Sequence, residues 1–544
     1  MRPDGKPEGL RQAMSWLHTW SGLLLGWLLY AVFFTGTLSY FLDEINDWMR
    51  PELHRSVPGP QTAEHAVETL QRLAPDATTW TIDLPGERQT AVKASWRMPG
   101  ATTGRAGVQR AVLDAGSGDP LQPRETRGGS FLYRFHFELY AMPRTWGRWI
   151  VGIATLFMFV AILSGVITHK KIFTEFFTFR PRKGQRSWLD AHNATAVLAL
   201  PFHLMITFSG LLLLMFTLMP WGVEAVYQGD TQSFFSQRRG GNAGAAGRPA
   251  DGESQARPLA SVAPMVQAAQ ARWPERGVGA IVVQQPGTSR ATVELREQGG
   301  RSLASRGASE RMVFDGVTGE LKAGPEPRLP GAVGAISNVL TSAHLGRFAD
   351  PAVRWLLFLS GVLGTMMAGT GLVLWVVKRL PQRQKLGRTP RGHRLVEVLN
   401  VAAVSGLSVA AAAYFWSNRL IPVDLPARAE AEIRVFFLAW ALCALHAGLR
   451  PHRRAWMEQM ALAAIAFAAL PLLNPLTGGA PLTRTILHGQ WSIAGFDLAM
   501  LALASLHGVI AWKLRPAPAA PAAAPRRHAG AHLQPQPQAP EKQS

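Results

Sequence analysis

Residues 16–42 read WLHTWSGLLLGWLLYAVFFTGTLSYFL. The stretch carries no Asp, Glu, Lys or Arg. As a helix rising ~1.5 Å per residue it is long enough for the ~30 Å hydrocarbon core of a bilayer. It therefore predicts a membrane span. It is too long for a signal-peptide core and shows no evident cleavage site, so it reads as retained. His18 stands near its head and Thr35-Gly36 near its far end. Residues 190–219 repeat that layout, because His192 precedes Ser209-Gly210 and the His-to-Gly spacing is again 18 residues.

The echo continues downstream. Asp114-Ala-Gly-Ser-Gly118 is matched by Asp315-Gly-Val-Thr-Gly319, His136 by His344, Arg148-Trp149 by Arg354-Trp355, and Lys170-Lys171 by Lys378-Arg379. The first 380 residues thus read as one unit of helix, soluble segment and helix written twice. The reading predicts an all-α polytopic membrane protein with about eight transmembrane helices and two small α+β lobes. The first four spans fall at 16–42, 148–169, 190–219 and 352–377, separated by lobes at 43–147 and 220–351 and by basic loops at 170–189 and 378–394. Each lobe reads as a helix (Thr62 to Leu73, Ala260 to Trp273) followed by short strands. The strand-like runs lie near 78–84, 90–97 and 109–114, then near 278–285, 290–296 and 311–315. Each set ends in an Asp-x-x-[Ser/Thr]-Gly turn, where Asp bonds backbone amides and Gly tolerates positive φ. A Gly/Ala/Arg/Ser-rich insertion occupies 229–258. Residues 395–513 form a four-helix extension without a copy of the repeat, with spans at 396–416, 432–449, 456–473 and 493–513. The Pro/Ala-rich tail 514–544 reads as disordered.

The net charge of +20 is an orientation signal rather than a nucleic-acid footprint. Lys and Arg gather in the loops 170–189 and 378–394, then at Arg450, Arg453 and Arg454, and again at Lys513 and Arg515. One topology satisfies them all by the positive-inside rule. It places residues 1–15, the basic loops and the C-terminus in the cytoplasm, with both lobes on the opposite side. Cys443 is the one cysteine, so there is no disulfide framework and no C-x-x-C-H attachment of a covalent haem.

In this topology His18 and His192 lie near the inner surface and His136 and His344 near the outer one. Imidazole is a strong axial ligand, and a haem between two helices needs one such nitrogen on each face. The four histidines are therefore candidate ligands of two haems stacked across the bilayer. His203 lies 11 residues after His192, on the same helix face and deep in the span, where an ionisable residue is functional by default. It is either an axial ligand nearer the middle or a partner of one. His169, at the inner end of the second span, has no counterpart in the second copy; it either replaces an inner ligand or caps its helix. His446, His488 and His507 lack support from the repeat and read as structural.

The segments Trp16-Leu-His-Thr-Trp-Ser-Gly22, Phe135-His-Phe-Glu-Leu139, Ser187-Trp-Leu-Asp-Ala-His192 and Ala343-His-Leu-Gly346 resemble the PepSY-associated transmembrane family of bacterial inner-membrane proteins. The lobes look like its PepSY domains. The run from Ser164-Gly-Val-Ile-Thr-His169 through Pro201-Phe-His-Leu204 resembles the subgroup that includes ferric-siderophore reductases. That resemblance implies haem b and electron transfer from the cytoplasmic side to a periplasmic ferric chelate, typically a ferric siderophore. No G-x-G-x-x-G follows a strand in a cytoplasmic segment, so the expected donor is membrane quinol or a separate reductase. Two other classes stand beside this reading. One is a non-enzymatic PepSY protein that binds or restrains a periplasmic partner; the other is a metal or proton transporter working through His203. The first four spans are poor in carboxylates, which weighs against a transporter.

Overall fold

The computed structural model describes residues 9–516 apart from 103–105, 170–177, 231–232, 234–254, 300–302, 304–309, 325–331 and 347. Most of the expected insertion 229–258 and tail 514–544, together with Lys170 and Lys171, lies outside the described residues.

Among the described residues seven helices are long and apolar enough to cross a membrane, and a bent helix pair raises the number to as many as eight. Helix α1 (Leu10–Leu38) begins earlier than the apolar run and leads into the short α2 (Leu42–Trp48). After α3 (Thr62–Leu73) and four strands come α4 (Gly129–Glu138) and the span α5 (Arg144–Thr168). The third span, expected as one helix over 190–219, is instead two, α6 (Gln185–Leu198) and α7 (Leu200–Leu213), inclined by 67°. Pro201 explains the break. It has no amide hydrogen to give the carbonyl four residues back, and its ring clashes with that turn, so it is tolerated only in the first turn of a new helix. The short α8 (Met215–Leu218) and α9 (Pro220–Tyr227) follow. Then come α10 (Ala263–Arg272), four more strands, α11 (Ala332–Leu345) and the long span α12 (Pro351–Lys385).

On the flanks of this core, Ile153, Leu156 and Phe157 of α5 and Leu356, Leu359 and Met366 of α12 are exposed. Uncovered apolar side chains in such numbers are what lipid-facing helices present.

The soluble layer departs from the expected pair of separate lobes. Strands β1 (Thr79–Asp83), β2 (Val92–Arg97), β3 (Val108–Leu113) and β4 (Pro120–Leu121) join β5 (Val278–Gln284), β6 (Thr292–Glu297), β7 (Arg311–Asp315) and β8 (Leu321–Ala323) in one antiparallel sheet. Its order is β4-β3-β2-β1-β5-β6-β7-β8. The central pairing sets Ile82 opposite Ile281 and Trp80 opposite Val283. Both edges that each half would otherwise leave unpaired at its first strand are thereby satisfied. Trp80, Ile82, Val92, Ala94, Ile281, Val283, Val293 and Leu295 line one buried face with α3 and α10. Glu64 of α3 accepts bonds from the Val262 and Ala263 amides at 3.0 and 3.1 Å, capping the start of α10. The two Asp-Gly turns form as expected. Asp114 Oδ1 accepts from the amides of Gly116 and Ser117, and Asp315 Oδ1 from those of Val317 and Thr318. Gly118 and Gly319 both stand at φ 78°, which a side chain would strain. The salt bridge from Lys322, with those amides, holds the Asp315 carboxyl well below the usual carboxylate range.

The segment after 390 builds a second bundle. It comprises α13 (Arg391–Val401), a π-helical turn at Ala402–Gly406, α14 (Leu407–Leu420), α15 (Arg428–Leu449), α16 (His452–Leu476), α17 (Leu482–Leu487) and α18 (Trp491–Lys513). Its first span is longer than the expected 396–416, running from Arg391 to Leu420. The bundle is keyed to the core by buried polar contacts. Trp48 Nε1 donates to Asp497 at 2.8 Å, Arg124 to the Asn418 carbonyl at 2.7 Å, and Tyr414 to the Gly128 carbonyl at 3.0 Å. Arg428 and Glu432, both fully buried, pair with each other, and Glu432 also accepts from Thr126 and Asn418.

Candidate functional site

Each of four histidines lays its ring against a glycine on a neighbouring helix. A Cβ built on Gly165 of α5 would stand 3.2 Å from His18 Cε1, and one on Gly371 of α12 would stand 3.1 Å from His192 Cε1. A Cβ on Gly36 of α1 would be 2.6 Å from His136, and one on Gly210 of α7 would be 3.2 Å from His344. At Gly36 a side chain would collide outright with the ring, and at the other three a Cβ would fit only if the ring gave way by a few tenths of an ångström.

The glycines expose acceptors. His18 Nδ1 donates to the Ala161 carbonyl at 2.8 Å, His136 Nδ1 to Val32 at 2.7 Å and His192 Nδ1 to Met367 at 2.9 Å. In all three the carbonyl lies four residues before the glycine. His344 differs slightly, with its Nδ1 2.9 Å from Ser209 Oγ, beside Gly210. The Ser209 hydroxyl already donates to the Met205 carbonyl at 2.6 Å, so the imidazole is the donor there too. Every glycine of the set follows a hydroxyl residue: Thr35, Ser164, Ser209 or Thr370. Each hydroxyl bonds back to a carbonyl four residues earlier, which satisfies its polarity within the helix.

With Nδ1 committed as donor, Nε2 of each ring is the nitrogen with a lone pair. A backbone or hydroxyl partner on the far nitrogen is how proteins fix the tautomer of a metal-binding imidazole. The rings also meet in pairs. His18 and His192 have centroids 6.2 Å apart with planes inclined by 68°. His136 and His344 are likewise 6.2 Å apart, inclined by 45°. Two imidazoles bound on opposite sides of one metal, with bonds of ~2 Å, place their centroids roughly 6 Å apart. Among the described residues no group of three or more His, Cys, Asp or Glu is placed to hold a bare ion. Two imidazoles alone suit a metal that brings its own equatorial donors, as haem does. The residues fit that group.

Along α1, 14 residues separate His18 from Val32, whose carbonyl holds His136. At the helical rise this is about 21 Å. Leu29, Ala154, Met158 and Met367 pack a buried apolar cluster between the two pairs.

The other two candidates fall outside the pairs. His203 is 1% exposed, lies 6.0 Å from the Phe33 ring, and has no hydrogen-bond partner on either nitrogen among the described residues. A Cβ on Gly364 would reach its Nε2 at 3.2 Å, so it too sits over a glycine, but among the described residues its ring contacts are with Phe33 and Phe202 rather than a second histidine. His169 caps α5, and its Nε2 accepts from Asn193 at 2.8 Å, next to His192 rather than in the pair. Gly165 and Gly371 escaped the reading of the sequence. The signal was present, since Ser164-Gly165 and Thr370-Gly371 repeat the hydroxyl-glycine dipeptide of Thr35-Gly36 and Ser209-Gly210.

Residues 15–378 match the family described as PepSY-associated TM region. The match covers both histidine pairs and all four glycines, and it stops before the second bundle. Among curated proteins no relative matches the chain.

Proposed function

The chain belongs to the PepSY-associated TM family, and from that footing we propose that it carries electrons across the bacterial inner membrane to a ferric chelate in the periplasm. In this reading residues up to about 380 are two copies of one unit. Each copy contributes one PepSY-like half of the outer sheet and one histidine to each pair. Both termini are cytoplasmic. Haem b bound at each pair would supply a one-electron carrier. His18 and His192 hold the inner group, and His136 and His344 the outer one. Gly36, Gly165, Gly210 and Gly371 give the rings room, and the acceptors beside them fix the tautomer.

The observation that supports this reading most is the fourfold recurrence of one seat, with Nδ1 spent and glycine under the ring, arranged as two pairs of equal spacing. Hard oxygen donors hold Fe³⁺ far more tightly than Fe²⁺, so one-electron reduction releases iron from a siderophore-type chelate. Purified protein from haem-replete cells should show a Soret band and low-spin b-type α-bands on dithionite reduction. Pyridine should extract the haem, since no cysteine anchors it. Colourless protein would refute the reading and favour a PepSY protein that only binds a periplasmic partner.

A further inference from the structure

Where α1, α12 and α13 meet, on the side of the His18–His192 pair, a cleft of about 390 Å³ opens. Its floor is apolar: Leu23, Trp375 and Val396 line it, and all three belong to or pack against one hydrophobic cluster. Its rim is polar and cationic, formed by Arg379, Gln382 and Arg383. This order follows from the helix. Residues 375, 379, 382 and 383 recur at steps of three and four, so they share one face of α12, and each step of four climbs about 6 Å from floor to rim. Asn400 of α13 holds the walls together. It accepts from Trp27 Nε1 of α1 at 2.8 Å and donates to the Leu372 carbonyl of α12 at 2.9 Å.

The charge around the rim is not balanced. Residues 378–394 hold seven Lys and Arg and no Asp or Glu. Glu397 of α13 serves two of them, pairing with Arg383 at 2.9 Å and with Arg394 at 3.5 Å. Arg379 has no carboxylate within salt-bridge distance among the described residues. Its guanidinium lies 3.8 Å over the Trp375 ring, and its hydrogen bond is to the Trp375 carbonyl at 3.4 Å. A guanidinium resting on an aromatic face keeps its remaining N–H groups for an anion, and their fork matches the oxygens of a phosphate. A soluble anion has no use for the apolar floor, and an uncharged lipid has none for the rim. An amphiphile with an anionic head meets both, and basic pockets between membrane helices are where such heads bind.

We propose that this cleft binds an anionic phospholipid, its phosphate on Arg379 and Gln382 and its first acyl carbons over Leu23 and Val396. The lipid ties the family core to the second bundle, since α1 and most of α12 fall within residues 15–378 and α13 lies beyond them. Bound haem plays no part in it. Full-length purified protein, delipidated in detergent, is photolabelled with phosphatidylglycerol carrying a diazirine near the head of one acyl chain, and the label is mapped by mass spectrometry. Label is expected on peptides holding Leu23 or residues 392–396. Unlabelled phosphatidylglycerol should compete, whereas phosphatidylcholine with the same chains and inorganic phosphate should not. Arg379→Gln should weaken labelling about fivefold, the share of one basic residue beside an anionic head. Arg388→Gln removes the same charge from the loop outside the cleft and should leave labelling unchanged. Gly392→Phe should suppress it without altering charge, because Gly392 lines the cleft and a Cβ there meets nothing within 4 Å. Equal loss in Arg379→Gln and Arg388→Gln would mean diffuse surface charge rather than a site. Label elsewhere, label indifferent to Gly392→Phe, or competition by phosphatidylcholine or inorganic phosphate as effective as by phosphatidylglycerol would likewise overturn the proposal.

Discussion

Replacing Gly36 by Val tests the seat that supports the outer pair. A Cβ at that position would stand 2.6 Å from both Cε1 and Nδ1 of His136, where ordinary contact begins near 3.4 Å. The ring must therefore retreat by roughly 1 Å, several times the ~0.2 Å tolerance of a metal–ligand bond. Overpacking of this kind costs about 1–3 kcal/mol, or roughly 5- to 150-fold in affinity for whatever the ring binds. Helix propensity does not confound the change, because Gly is the poorer helix former. Gly22→Val on the same helix is the control, since its Cβ would meet nothing within 4 Å. Pyridine haemochromogen assays per mole of purified chain should fall from two haems to one in Gly36→Val and stay at two in Gly22→Val. Redox titration should show the surviving inner centre unshifted. Two haems with an unchanged spectrum in Gly36→Val would refute the seat, and equal loss in both variants would mean that α1 packing, rather than His136, was disturbed.

Single substitutions should separate the pairs: His192→Ala should empty the inner site and His136→Ala the outer one, each leaving half the α-band absorbance. Alkaline phosphatase fused after Gly118 or Gly319 should be active, and fused after Lys183 or Arg388 inactive; the reverse pattern would move the sheet to the cytoplasm. Arg428→Met leaves Glu432 buried without its cation, which costs about 3–5 kcal/mol, whereas Arg428→Met with Glu432→Leu should recover much of it; thermal unfolding in detergent reads both. His54 accepts from the Ala480 amide at Nδ1 and donates from Nε2 to the Asp47 carbonyl, so it is held neutral, and burial with nearby Arg419 pushes its pKa down to about 3. A depressed pKa on a base means full stability above about pH 6.5, lost progressively as pH falls toward 3 at up to ~1.4 kcal/mol per pH unit. His54→Gln should flatten that part of the stability–pH curve, and an unchanged slope would exclude this contribution.

Much of this molecule follows from patterns local to the chain. Apolar runs longer than a bilayer is thick leave few alternatives to spans, and helix α3 appears at the expected Thr62–Leu73. The strands follow alternation, and the Asp-Gly turns follow the special φ that glycine supplies. Spacing alone also singled out His18, His192, His136 and His344, because each stands at a matching place in two stretches of sequence that echo one another. Partnership across the chain was another matter. A β-edge offers the same amides and carbonyls whatever its side chains, so nothing in 79–83 or 278–284 announced that these strands would fuse two halves into one sheet. Pro201 was visible, but whether a proline kinks or breaks a span depends on what packs against it, and the 67° bend is set by that packing. His169 and His203 could not be placed from the sequence, because Asn193 and Gly364 reach them only once the helices cross. A cleft lined by Trp20, Trp375 and Val396, among others, needed the tertiary structure most of all. Its walls come from residues as far apart as Trp20 and Val396, and only packing joins positions that the chain keeps hundreds of residues apart.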